Sequence, residues 1–130
     1  MEKGLLNTFD KELLFKDLCA RLPYHVRLKV WLKDGTTEEG FLDLKHNYGD
    51  VLRDAFYYNE IIDIKPYLFP LSSMTEEQSK VYHELIGGMF GTSALINFEI
   101  LEDFFHKNHL DHRGLIPMGL SIDATGLNIY

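Results

Sequence analysis

The periodicity of apolar residues changes within residues 64–78, IKPYLFPLSSMTEEQ. Before this segment apolar residues alternate with polar ones, which is typical of strands, and after it they recur at helical spacing. Pro66 and Pro70 favour an extended path between the two parts, because proline fixes φ and cannot sit inside a helix without breaking it. Thr75 followed by Gln78 is a capping-box signal for a helix start. The segment therefore predicts a β-rich part followed by a helical part.

Upstream of this segment, strict alternation predicts two strands that form a hairpin. The connection contains Asp34-Gly35, a turn signal. A two-residue loop would mix apolar and polar residues on one face, which a half-buried sheet does not permit. We therefore expect a three-residue loop, Lys33-Asp34-Gly35, with a positive φ at the glycine. The resulting register keeps apolar residues on one face and pairs Val26 with Leu42 and Leu28 with Gly40.

Further elements follow from composition and from helix signals. Residues 51–58 and 61–65 are rich in Val, Ile, Phe and Tyr, which favours two more strands. A first helix is predicted over residues 10–22, because Asp10 can cap it and Pro23 ends its apolar stripe.

The chain is therefore predicted to be a single α+β domain of 130 residues. We expect an N-terminal helix, a four-stranded antiparallel sheet or small barrel, and then two or three C-terminal helices. The β-rich part covers about residues 24–65 and the helical part about residues 75–112. The later helices are expected to pack on the apolar face of the sheet, since neither surface can be left exposed to water.

Composition narrows the class of protein. The formal net charge is −7 and the hydrophobic content is 45%. An acidic protein repels the phosphate backbone, so the charge disfavours nucleic-acid binding. The single cysteine, Cys19, excludes an intrachain disulfide, and no apolar run approaches the length needed to span a membrane. We expect a cytoplasmic protein with no membrane partner and no secretory signal.

A histidine cluster near the end of the last predicted helix is the best candidate for a metal site. His106, His109 and His112 lie close together with Asp111 between them, and imidazole and carboxylate groups are zinc ligands. The competing interpretation is that histidines are favoured near a helix C-terminus, where they interact with the helix dipole and the last carbonyl groups.

One face of the first strand is basic and aromatic, and its members are His25, Arg27, Lys29, Trp31 and Lys33. Such a face could bind single-stranded nucleic acid, with Arg27 and Lys29 contacting phosphates and Trp31 stacking on a base. The competing interpretation is a solvated sheet face, because the predicted register places Glu39 on the facing strand, where it would neutralise part of this charge.

Catalytic signatures are missing from the sequence. It contains no G-x-S-x-G motif, no H-E-x-x-H motif and no glycine-rich phosphate loop. We therefore expect no enzymatic activity and no cofactor. The leading hypothesis is a non-enzymatic protein-interaction module with an unknown protein partner. Self-association is also considered, because aromatic residues such as Trp31, Tyr57 and Tyr67 could lie on the surface.

Three blocks of sequence resemble a known family. They are DLCARLPY (residues 17–24), KPYLFPLSSMTEE (residues 65–77) and DHRGLI (residues 111–116). In this order they are similar to a family of small uncharacterised proteins from phage and prophage regions of gut anaerobes. The resemblance implies an accessory protein of a phage or mobile element, and it implies no catalytic residue. The family usually has arginine at the position of Phe69 and an aromatic residue at that of His112, which favours a packing role for position 112.

The last of these blocks contains a candidate structural pair. Asp111 and Arg113 flank one residue and precede Gly114, so they could form a bidentate ion pair that fixes the C-terminal turn. A structural role is preferred, because Asp and Arg at turns commonly orient the backbone.

Overall fold

The computed structural model describes the backbone of residues 8–42, 61–88 and 94–130. Its elements in chain order are α1 (Thr8–Ala20), β1 (Val26–Leu32), β2 (Thr37–Leu42), β3 (Ile61–Leu68), α2 (Glu76–Gly88), α3 (Ala94–Lys107) and β4 (Ile122–Asp123). Short 3-10 turns occur at Leu22–Tyr24 and Leu71–Ser73. The predicted α+β class, with an N-terminal helix and two C-terminal helices, is confirmed. Within the described ranges, no helix combines the length and the apolar character needed to cross a membrane.

The sheet has four strands in the order β2-β1-β3-β4. The first three are antiparallel neighbours, but β4 runs parallel to β3 and pairs Ile122 with Tyr67. The prediction of an antiparallel sheet or a small barrel is therefore wrong, since the sheet of the described residues is mixed and open. The sequence suggests a short strand over residues 120–122, and β4 overlaps it at Ile122, but no local pattern indicates that this strand runs parallel to β3. The strand predicted over residues 51–58 lies outside the described residues.

The predicted hairpin register is confirmed. Val26 pairs with Leu42 and Leu28 with Gly40. The amide of Gly35 donates to the Leu32 carbonyl at 3.0 Å, which closes the expected three-residue loop. Gly35 has φ +90°, a conformation that glycine adopts without a steric penalty. The apolar parity of the first strand was sufficient to fix this register, because a shift by one residue would expose the whole buried set.

Pro66 lies inside β3, although proline has no N–H to donate to a strand ladder. Its carbonyl accepts a hydrogen bond from Ser121 Oγ at 2.8 Å. In an extended strand the nitrogen and oxygen of one residue point to the same side, so the nitrogen of Pro66 faces Ser121 rather than β1. The proline therefore removes no hydrogen bond between β1 and β3. Pro70 continues the extended path with φ −64° and ψ 152°.

The start of α2 forms the predicted capping box. Gln78 donates its backbone N–H to Thr75 Oγ1 at 3.1 Å, and Thr75 donates its N–H to Gln78 Oε1 at 3.0 Å. Each bond satisfies a backbone donor that the helix itself leaves without a partner. The side chain of Gln78 also donates to Asn108 Oδ1 at 3.2 Å, which ties the start of α2 to the end of α3.

The inner face of the sheet packs against α1 rather than against the later helices. The cluster contains buried residues of α1, the sheet and the segment after α3, namely Leu14, Leu18, Val26, Leu28, Val30, Leu42, Ile64, Leu68, Leu115 and Leu120. Helices α2 and α3 instead form a second cluster around Leu101, Phe105 and Leu110. The expectation that the later helices cover the sheet is therefore wrong for the described residues. The apolar stripe of α1 already covers that face.

Candidate metal-binding site

The candidate site lies where the turn after α3 meets α1. A parallel bridge joins Phe69, just after β3, to Leu110. The amide of Phe69 donates to the His109 carbonyl and that of Asp111 donates to the Phe69 carbonyl, each at 2.8 Å. Arg21, at the end of α1, donates through Nη2 to the Leu110 carbonyl at 2.7 Å. These bonds hold the turn after α3 between the end of β3 and the end of α1.

Asp17 on α1 and Arg21, the residue that follows this helix, form a buried ion pair four residues apart, and both side chains are 0% exposed. Arg21 donates through Nε to Asp17 Oδ2 at 2.7 Å and through Nη2 to Oδ1 at 3.2 Å. Arg113 donates through Nε to Oδ1 at 3.0 Å. The carboxylate thus accepts three charge-assisted hydrogen bonds. The formal charges of the three side chains sum to +1.

The expected pair between Asp111 and Arg113 is replaced by two separate interactions. Arg113 reaches across to Asp17 instead. Asp111 accepts the backbone amides of Leu115 through Oδ1 and of Ile116 through Oδ2, each at 2.8 Å. Asp111 therefore caps the turn that follows it, and this role requires no partner cation.

Two of the three candidate histidines come together, and they do so beside Asp17. Ligand atoms of Asp17, His106 and His112 all lie within 4.8 Å of one another. His106 is 5% exposed and Asp17 is fully buried. The Nε2 atoms of His106 and His112 are buried, and neither has a hydrogen-bond partner among the described residues. Buried polar atoms usually have a partner, so this arrangement requires an explanation.

Packing and a guanidinium group orient the ring of His112. The ring is stacked on Phe105, with centroids 4.7 Å apart and planes 6° from parallel. Its Nδ1 lies 3.5 Å from Arg21 Nη2, and a guanidinium nitrogen can only donate a hydrogen bond. Nε2 is the ring nitrogen that has no partner among the described residues, so it is the one open to a ligand.

Burial keeps these imidazoles neutral. Desolvation lowers the pKa of His106, His109 and His112 to about 4 each, and the positive charge of Arg21 acts in the same direction. Neutral imidazole is the form that binds a metal ion, so no proton has to be displaced from these rings at neutral pH.

His109, the third predicted ligand, takes part in a different contact. Its ring is stacked on Tyr130, with centroids 3.7 Å apart and planes 11° from parallel. It does not belong to the group of ligand atoms formed by Asp17, His106 and His112. The structure therefore brings together two of the three predicted histidines and adds an aspartate that was not predicted as a ligand.

The hydroxyl of Tyr130 is inserted between two strands. It accepts the backbone N–H of Arg27 at 2.8 Å and donates to the Tyr67 carbonyl at 2.6 Å. The regular register between β1 and β3 ends one residue earlier, at Leu28 and Pro66. A side-chain hydroxyl thus replaces one direct bond of the strand ladder. Desolvation raises the pKa of Tyr130 to about 12, so this hydroxyl retains its proton for the donated bond at neutral pH.

Replacing Tyr130 by phenylalanine is expected to lower the free energy of unfolding by about 1 kcal/mol, because it removes the hydrogen bonds to the Arg27 amide and the Tyr67 carbonyl at a partly exposed position. Hydrogen exchange at the Arg27 amide is expected to become faster, while the ring stack on His109 is kept. Tyr130→Ala serves as the comparison that also removes the stack. If the Arg27 amide of Tyr130→Phe exchanges as slowly as in the wild type, the hydroxyl does not hold this position.

The basic and aromatic strand face makes contacts within the protein. Arg27 Nε lies 3.4 Å from Glu39 Oε1. The ammonium groups of Lys29 and Lys65 lie 5.4 Å and 5.6 Å from the centroid of the Trp31 ring. These cation–π contacts use the ring that would stack on a base, and the ion pair neutralises a cation that would contact a phosphate.

The buried pair of Asp17 and Arg21 was not predicted, although the sequence contains a signal for it. These two opposite charges, four residues apart, flank Leu18 on the apolar stripe of α1. Such a pair on an exposed helix face is common. A pair next to the buried stripe is unusual, because charged residues are seldom fully buried unless they are paired. The spacing of Asp17 and Arg21 alone could not show that residues from the second half of the chain contact this pair.

Comparisons with known proteins assign neither a family nor a function to the chain. No family model matches the chain, and neither a curated protein nor a solved structure gives a significant match. The function must therefore be inferred from the residues of the site.

Proposed function

We propose that this protein binds a divalent transition-metal ion, with zinc as the best fit, through Asp17, His106 and His112. The observation that carries the proposal is the convergence of three ligand atoms within 4.8 Å, with the buried Nε2 atoms of both histidines lacking a partner among the described residues. Two imidazoles and one carboxylate are a donor set that zinc accepts.

The distances are compatible with a metal ion after a small adjustment. Three atoms no more than 4.8 Å apart lie within a circle with a radius of at most about 2.8 Å. Inward shifts of less than about 1 Å bring each atom to the usual zinc bond lengths of about 2.0–2.2 Å. Three protein ligands leave a fourth position for an exogenous ligand, as in zinc sites that bind or activate small molecules.

The arginines limit the affinity of this site without excluding the metal. Ionised carboxylate oxygens offer about four lone-pair sites in total, and Asp17 uses three of them for Arg21 and Arg113. One lone pair stays available, and hydrogen bonds to a ligating carboxylate are usual around metal sites. The two guanidinium groups repel a dication, so we expect weaker binding than at a closed site with four protein ligands.

Calorimetric titration of zinc into chelator-treated protein tests the proposal. We expect one binding event per chain, and we expect His112→Phe to weaken it by at least about tenfold. The phenylalanine ring can keep the stack on Phe105 but offers no ligand atom. Absence of heat from the wild-type protein at micromolar zinc overturns the proposal.

Two matched variants define the ligand set. His109→Phe is expected to keep the wild-type zinc affinity, because it preserves a ring next to Tyr130 and removes no atom of the proposed site. His83→Ala, on the exposed side of α2, controls for nonspecific binding to surface imidazoles. If His109→Phe weakens binding as much as His112→Phe does, the ligands are the three histidines predicted from the sequence rather than the set with Asp17.

The other hypotheses have less support. The contacts around Trp31 and Arg27 weigh against the nucleic-acid hypothesis, because a base or phosphate would have to displace them. The hypothesis of a protein-interaction module from a phage or mobile element stays a prediction, since no match to a known protein tests it.

A further inference from the structure

Two arginines bond to the carboxylate of Asp17, and they differ in how firmly they are held. Arg21 is fully buried and donates to both carboxylate oxygens and to the Leu110 carbonyl. Arg113 makes one hydrogen bond to Asp17, through Nε at 3.0 Å, and its side chain is 16% exposed. The bond from Arg113 is therefore the one that can be broken with the smaller loss of other interactions.

The three bonds are unequally distributed over the two oxygens of Asp17. Oδ1 accepts Arg21 Nη2 at 3.2 Å and Arg113 Nε at 3.0 Å, which uses both of its lone pairs. Oδ2 accepts Arg21 Nε at 2.7 Å and keeps one lone pair. A metal ion can therefore bond to Oδ1 only in place of a guanidinium group, and departure of Arg113 makes both oxygens available.

The charge of the site favours the loss of one cation when a metal ion enters. The side chains of Asp17, Arg21 and Arg113 have a formal sum of +1, and a bound dication raises this sum to +3. Uncompensated charge is costly to bury, so transfer of one guanidinium to solvent lowers the cost. Arg113 already reaches solvent with part of its side chain, whereas Arg21 does not.

The backbone on either side of Arg113 is held independently of its bond to Asp17. The preceding residue, His112, has its ring stacked on Phe105. Asp111 accepts two backbone amides of the turn that follows, each at 2.8 Å. Release of Arg113 therefore requires rotation of its own side chain only, and a long arginine side chain can place its charged end in water while its stem stays packed.

We propose that Arg113 is an internal competitor of the metal ion, which bonds to Asp17 in the metal-free protein and is displaced into solvent when the metal binds. This inference rests on the proposed metal binding and specifies how the affinity of that site is regulated. In the metal-free state Arg113 compensates the buried carboxylate. Because the two events are linked, a change that weakens the bond from Arg113 to Asp17 must tighten metal binding.

Modification of arginines by phenylglyoxal, mapped by mass spectrometry of peptides, measures the displacement directly in the wild-type protein. We expect saturating zinc to accelerate the modification of Arg113 several-fold, while Arg21 stays protected. Arg27, which is 31% exposed and lies outside the proposed site, is the internal reference whose rate is expected to stay constant. A rate for Arg113 that is the same with and without bound zinc overturns the displacement.

Replacing Arg113 by methionine tests the competition through affinity. Methionine keeps a long, unbranched side chain and removes both the charge and the donor. We expect Arg113→Met to bind zinc at least about fivefold more tightly than the wild type, the lower end of couplings between linked sites. Arg113→Lys, which keeps a cation at this position, is expected to stay close to the wild type. Arg27→Met is the matched control for loss of an arginine elsewhere and is expected to leave the zinc affinity unchanged.

The failure of this inference can be distinguished from the failure of the proposed function. If the wild type binds zinc, and neither the reactivity of Arg113 nor the affinity of Arg113→Met differs as expected, the metal site stands and Arg113 does not compete for it. Zinc would then use the free lone pair of Asp17 Oδ2 with both arginines in place. Absence of zinc binding in both the wild type and Arg113→Met overturns the metal proposal together with the competition.

Discussion

Replacing Asp17 by asparagine is expected to lower the free energy of unfolding by about 3–5 kcal/mol, which is the usual cost of removing one partner from a buried ion pair. Asp17 holds Arg21 and Arg113, and Arg21 has no solvent exposure. Its removal leaves a buried positive charge without compensation. Urea denaturation with an unchanged m-value would measure the loss as a true change in stability. Glu12→Gln, an exposed position on the same helix, is the control.

A second variant shows how the loss arises. Removing both members of a buried pair is often far less costly than removing one, because no unpaired charge remains. We expect Asp17→Leu combined with Arg21→Met to be more stable than Asp17→Asn alone. If the double variant loses as much unfolding free energy as Asp17→Leu and Arg21→Met lose together, Asp17 and Arg21 act independently. A loss below about 1 kcal/mol for Asp17→Asn would place this pair among weak surface ion pairs.

Acidification is expected to destabilise the metal-free protein between about pH 6.5 and pH 4. Burial lowers the pKa of His106, His109 and His112 to about 4 in the folded protein, whereas an unfolded chain has a histidine pKa of about 6.5. Within this window the unfolded state binds more protons, so stability rises with pH and is lost as pH falls. The contribution is fully present above about pH 6.5.

The slope of the unfolding free energy against pH is proportional to the difference in bound protons between the unfolded and the folded state. Each histidine contributes at most about 1.4 kcal/mol per pH unit, and less where its ring meets solvent. His106→Asn is expected to reduce the slope by one such contribution, measured by urea denaturation of chelator-treated protein at several pH values. A slope that is the same with and without His106 contradicts the assignment.

Local patterns in the sequence predicted the local structure. The register of β1 with β2 followed from the parity of four apolar positions and from the need for a positive φ at Gly35. The capping box at Thr75 followed from two residues three positions apart. In both cases the interacting residues lie within one hairpin or one helical turn, so spacing fixes their geometry.

Patterns that depend on long-range packing were not predicted. β4 pairs with β3 over only two residues, and α1 rather than a later helix covers the sheet. The histidines at positions 106 and 112 were expected to act together because they are near in sequence. Asp17 joins them because Arg21 bonds to the Leu110 carbonyl and Arg113 bonds to Asp17, and no short-range signal encodes these contacts.

The insertion of Tyr130 between β1 and β3 has a consequence for folding kinetics. Its hydroxyl bonds to Arg27 across 103 residues and to Tyr67 across 63 residues. Contacts of such high sequence separation carry a large loop-closure cost and usually form late. The two strands must therefore associate before this position is complete. Loss of the hydroxyl should accelerate unfolding and leave the folding rate almost unchanged, so position 130 contributes to the lifetime of the native state rather than to its nucleation.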